Sequence, residues 1–154
     1  MPLSKSAESK GEWKGVETPT YWLKSLGMGA RGKPLADDWI TTHGGHLKET
    51  LIFPPREPRI KKGDILVLYA AGKRVVFAIA EATSFPYHRS DVDQRWPWLI
   101  NVRYLQDRRF LHDGVPLTAL NVDGRDLGKS IRQKSHIRLK KVEYEAAARA
   151  LKEE

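Results

Sequence analysis

The 154-residue sequence predicts an α+β domain in which a curled or barrel-like sheet of about five to six strands is flanked by short helices and followed by a C-terminal helix. Three observations carry this. The segment "KKGDILVLYAAGKRVVFAIAEATSF" reads as a hairpin of two strands apolar on both faces. A strand of alternating faces, "WLINVRYL", follows it, and the chain ends in the amphipathic "VEYEAAARALKEE". A chain of this length supports one core and buries roughly 65–70% of the surface that its unfolded form exposes.

Residues 1–18 are polar, with Trp13 as their large apolar group, and read as a flexible arm; residues 19–154 read as a single domain. "TYWLKSL" is β-branched and aromatic, a strand ended by the glycine-rich "GMGARGKP". "LADDWITTHGGHLKET" reads as a short helical or irregular segment, with Asp37 or Asp38 as a cap and Gly44-Gly45 as a break. "FPPREP", from Phe53 to Pro58, is an irregular connector, because its prolines remove donors and push their predecessors out of the helical region. The apolar hairpin that follows is the centre of the core.

"YHRSDVDQ" is a polar loop. In the next strand Trp98, Ile100, Val102 and Tyr104 share one face, and Leu99, Asn101, Arg103 and Leu105 the other. "VPLTALNVDGRDLG" is an irregular link, and "SIRQKSHIRLKK" is a further strand candidate. In the terminal helix Tyr144, Ala147, Ala148 and Leu151 fall on one face.

The chain has no cysteine, which excludes disulfides, thiol catalysis and Cys-ligated zinc. No apolar run reaches the roughly 18–20 residues of a membrane span, and the N-terminus lacks a signal-peptide pattern, so the expectation is a cytoplasmic protein that does not engage membranes. Twenty-seven Lys and Arg against 19 Asp and Glu give a net charge of +8, which favours polyanionic partners such as nucleic acid. No phosphate-binding loop, hydrolase elbow or paired-carboxylate pattern is present, and no cofactor is expected; "GMGARG" lacks the Lys-Ser/Thr of a phosphate loop. His43 and His46 in "HGGH", with Asp91, Asp93, His112 and Asp113 elsewhere, lack a recognisable third ligand spacing, so no metal site is expected.

Two features point to a binding surface. If "IRQKSHIRLK" is one strand, Arg132, Lys134, His136, Arg138 and Lys140 line one face at about 6.6–6.8 Å intervals, a spacing suited to successive phosphates or, equally, to a charged protective edge. Gln133 and Ser135 then point inward and need partners or a ligand. The second feature is the five tryptophans, since indoles stack on nucleic-acid bases. Alternation places Trp98 in the core, whereas Pro97 frees Trp96 to turn away.

The ordered set "YWLKS", "DDWITT", the G-D-x-x-x-x-Y hairpin from Gly63 to Tyr69, "WPWLINVRY" and "SIRQKSHIRL" resembles the EVE domain family and its YTH relatives, within the PUA-like fold. The resemblance runs from about Tyr21 to the terminal helix. It departs where the EVE opening continues with an acid and a proline, since Leu26-Gly27-Met28 stand here. It implies a PUA-like curled barrel and non-catalytic recognition of a modified, methylated base in DNA or RNA, held in an aromatic cage. Carried over, it implies Trp39 and Trp96 as cage walls, with Trp98 as the alternative to Trp96. Lys24 and Ser25 would form the floor, Trp22, Thr41 and Gln133 would complete the pocket, and Arg132, Lys134, Arg138 and Lys140 are the expected phosphate contacts. The alternatives are a general RNA-binding module without base selectivity and a small metal-dependent hydrolase using His43, His46 or Asp91.

Overall fold

A computed structural model of the chain describes residues 18–26, 35–39, 50–89, 91 and 96–153. Most of the expected arm, the glycine-rich "GMGARG", and Thr41, His43, His46 and Asp93 lie outside the described residues.

Among the described residues, eight strands form one sheet. Its main path is β2 (Thr50–Phe53), β6 (Trp98–Asp107), β4 (Val75–Ala82), β3 (Ile65–Ala70), β1 (Tyr21–Leu26) and β8 (His136–Leu139), in that spatial order. The short β5 (Tyr87–His88) pairs with β6, and β7 (Val115–Pro116) with β4. β1 runs parallel to β3, and the other pairings are antiparallel.

The hairpin β3-β4 is apolar on both faces because both are covered. Leu66, Leu68, Phe77 and Ala80 join Trp22, Phe53, Ile100 and Val102 inside the curl. Val67, Val76 and Ile79 join Leu23 and the two helices, α1 (Leu127–Ile131) and α2 (Lys141–Lys152), on the other side. Tyr144, Ala147, Ala148 and Leu151 of α2 all pack there, as their spacing predicts. The turn into β3 places Gly63 at φ +95°, a region open to glycine. Beside it the buried Asp64 carboxylate accepts from Thr20 N at 3.1 Å, Lys61 N at 2.9 Å and Trp22 Nε1 at 3.0 Å, which ties β1 to the hairpin.

Register shifts between Leu68 and Tyr69 and between Ile79 and Ala80 bend the central strands, as bulges do. The sheet curls into a half-barrel whose end strands approach: the Phe53 ring of β2 stands 5.3 Å from the His136 ring of β8, edge to face.

Four segments differ from their sequence reading. Tyr87–His88, read within a polar loop, and Val115–Pro116, read within an irregular link, form the two-residue strands β5 and β7, too short to carry an alternating pattern. Phe53 was expected in the irregular connector and is instead the last residue of β2, a four-residue strand too short to stand out beside three prolines. The expected strand from Ser130 to Lys141 is divided. Its start belongs to α1, where the Asp126 carboxylate accepts from Lys129 N at 3.2 Å and Leu127 and Ile131, one turn apart, are buried. Gln133 then takes φ +62°, a left-handed residue that no strand tolerates, and β8 begins only at His136. Arg132 and Lys134 therefore lie in a turn and Lys140 caps α2, so the five basic residues do not share one strand face.

Candidate functional site

The β1-β8 register pairs Trp22 with Arg138 and Lys24 with His136. Cross-strand partners share a face, so these four side chains look into the curl while Leu23, Ile137 and Leu139 face the helices. Lys24 is thereby carried into the interior at 2% exposure. Its Nζ donates to Ser135 Oγ at 2.9 Å and stands 4.3 Å from the centre of the Phe53 ring. Burial lowers the Lys24 pKa to about 7. His136 Nδ1 lies 3.1 Å from the same Ser135 Oγ, and its pKa is lowered to about 4, first by burial and then by the Lys24 charge. A lysine, a serine and a neutral histidine thus form a hydrogen-bonded line at the closing edge of the half-barrel.

Lys24 and Ser25 line a cleft of about 1140 Å³, together with Ile52, Pro54, Tyr69 and Trp96. Among the described residues its lining carries six basic side chains, Lys24, Lys73, Arg74, Lys129, Arg132 and Lys134, and one carboxylate, Asp126, which is engaged in capping α1. A cleft lined by a buried amine, an indole and several further cations is suited to a ligand that is flat in one part and anionic in another.

The structure brings Lys24, Ser25, Trp96, Arg132, Gln133 and Lys134 together on this cleft. Gln133 is an exposed turn residue on its wall rather than an inward strand residue. Trp22, with its Nε1 held by Asp64, and Arg138 line a second cleft that shares Lys134 and Ser135 with the first. Trp98 is half-buried against the core, as alternation predicts, and its Nε1 donates to Pro55 O at 2.9 Å, fixing the proline connector. Lys140 Nζ is paired with Asp123 at 2.6 Å.

Trp39 departs from its expected place as a cage wall. It is 1% exposed, meets Phe77 edge to face at 4.9 Å and donates from Nε1 to Arg108 O at 2.7 Å. It is core because its segment bridges to Phe110 through Asp38 and turns the ring inward. Trp39→Phe is expected to cost about 1–3 kcal/mol by leaving that carbonyl unpaired, read by thermal unfolding, while ligand affinity stays unchanged. A loss of affinity without loss of stability would return Trp39 to the site.

No family profile and no curated sequence matches the chain. Solved structures do. A protein of Leishmania major has a TM-score of 0.56 at 13% identity, over 88% of this chain and 96% of that one. Protein Atu2648 of Agrobacterium tumefaciens has 0.55 at 17% identity, over 85% and 92%. Human THYN1, in complex with DNA containing 5-methylcytosine, has 0.55 at 9% identity, over 88% and 99%. The chain has the α+β, PUA-like fold of these proteins. At these identities the likeness lies in the backbone arrangement, and the side chains of this domain must be read on their own.

The sequence reading missed Lys73, Arg74 and Lys129 on the first cleft and Arg56 and Arg59 on the second. They sit in a hairpin turn, a helix and a proline connector, where no periodicity marks a shared surface. Of the metal candidates among the described residues, Asp91 accepts two hydrogen bonds from the Arg89 guanidinium, and His112 Nδ1 lies 2.7 Å from Asp37 Oδ2.

Proposed function

We propose that this domain is a non-catalytic reader of a modified, methylated base in DNA or RNA. The observation that carries the proposal is the buried Lys24 amine, without a counter-charge among the described residues, in the lining of a cleft that also carries Trp96 and several further cations. An amine in that position seeks an acceptor, and a base edge entering the cleft offers carbonyl or ring-nitrogen acceptors to it and to Ser25. Trp96 offers a stacking face, and a methyl group on the base adds apolar area to that contact. Arg132 and Lys134 at the rim meet the attached phosphates. The complex of THYN1 with 5-methylcytosine-containing DNA, on the same fold, supports the class of ligand.

The test is a binding series with oligonucleotides carrying 5-methylcytosine, its oxidised forms or N6-methyladenine, beside unmodified DNA and RNA controls. One modified oligonucleotide is expected to bind more tightly than its control, and Trp96→Ala to remove about 1–3 kcal/mol of that affinity. Equal binding of every modified and unmodified strand would instead leave a general RNA-binding or DNA-binding module.

A further inference from the structure

The second cleft, of about 920 Å³, lies between the proline connector after β2 and the β1-β8 end of the sheet. Its connector wall is anchored at alternate points. Phe53, Pro58 and Ile60 are buried and Pro55 O is held by Trp98, while Arg56 and Arg59 stand exposed between them. The prolines restrict the backbone, so these cations are presented from a preorganised frame. On the facing wall are Arg138, exposed beside Trp22, and Lys134. Arg125 completes that wall, its guanidinium fixed by both Glu143 oxygens and by Arg138 O.

Among the described residues, Arg56, Arg59, Lys134 and Arg138 have no ion-pair or side-chain hydrogen-bond partner, and Glu57 is the one carboxylate lining the cleft. Self-repelling cations around a concave surface call for an external polyanion, and arginine forks match phosphate oxygens in geometry. The first and second clefts share Pro54, Lys134 and Ser135, so a chain leaving one crosses directly into the other.

We propose that this second cleft holds the phosphodiester backbone flanking the nucleotide whose base enters the first cleft. It rests on the reading above only for what occupies the first cleft. The domain then grips its ligand at two separable places. One is selective for the base, and the other is indifferent to sequence and modification. Continuity with the first cleft favours a polynucleotide over an acidic peptide.

The test uses Arg56→Gln/Arg59→Gln in the full chain, with single-stranded oligonucleotides that carry one 5-methylcytosine or none, as DNA and as RNA. Both residues are exposed, so the fold tolerates the change. Binding to the modified and unmodified strands is expected to weaken by the same factor. Between about 50 and 200 mM salt, the slope of log affinity against log salt is expected to fall by about 1.4, from two lost phosphate contacts. An unchanged slope overturns the proposal. So does an equal fall for Lys61→Gln/Lys62→Gln, exposed cations outside the cleft, or displacement by polyglutamate as effective as by unmodified DNA. A reduced slope without any preference for the modified strand keeps the second cleft and removes the reader; an intact slope with that preference does the reverse. Absence of binding to any strand overturns both.

Discussion

Replacing Arg125 with alanine is expected to destabilise the domain by about 3–5 kcal/mol, the cost of leaving a buried carboxylate without its partner. Glu143 is 0% exposed; its Oε1 accepts from an Arg125 terminal nitrogen at 2.6 Å, and its Oε2 from Arg125 Nε at 3.2 Å. Oε1 also accepts from Lys140 N at 2.8 Å, closing the first turn of α2. The same guanidinium holds Arg138 O at 2.9 Å, so one side chain joins the link before α1, the outer strand β8 and the terminal helix. Urea unfolding gives the magnitude, and the double change Arg125→Leu/Glu143→Leu is expected to restore much of the loss, since an apolar pair avoids desolvating two charges. If Arg125→Ala unfolds at the wild-type midpoint, the pair does not support the fold.

The second large effect follows pH. Between about pH 7 and 10 the unfolded chain carries a proton on Lys24 that the folded chain has released, so stability rises with pH across this window. The slope approaches about 1.4 kcal/mol per pH unit, a gain of roughly 3 kcal/mol over the window. His136 acts in the same direction between about pH 4 and 6.5, because its folded pKa lies below its unfolded one. Above the window the raised pKa values of Tyr69 and Tyr104 reverse the trend, since the folded phenols keep protons that the unfolded ones lose. Lys24→Met is expected to flatten the curve between pH 7 and 10 and to be more stable than the wild type at pH 7, as the cost of burying the amine disappears. A wild-type curve already flat there would contradict the buried amine. Ligand affinity is expected to run the opposite way, falling as pH rises through about 7, because an acceptor on the base is held best by the protonated amine. Titration calorimetry at pH 6 and pH 8 reads this directly, and equal affinities at the two would remove Lys24 from recognition.

The fold was legible where the chain repeats one chemical pattern. The paired apolar runs of β3 and β4, the alternation of Trp98, Ile100 and Val102 in β6, and the apolar face of α2 each encode burial on a known side, and each is found there. The candidate site was legible in part. Lys24 and Ser25 were placed through the resemblance of the first strand, and both lie on the cleft. Trp39 was not. An indole beside two acids reads the same whether it faces a ligand or Phe77, and only the bridge from Asp38 to Phe110 decides between them.

The basic segment shows the same division. Its composition was correct, but its geometry depended on a helix cap at Asp126 and a left-handed residue at Gln133, local events that break a strand pattern without altering its letters.

By itself the sequence determined an α+β chain with a central apolar hairpin, a terminal helix and an excess of positive charge, because periodicity and composition are properties of segments. The tertiary structure decided which distant residues meet: Lys24 with Ser135 across 111 positions, Trp22 with Asp64 across 42, and the connector arginines with the turn before β8. Those encounters depend on how far the sheet curls. The curl is set by bulges and by the packing of Phe53 against His136, and neither is written in any one segment.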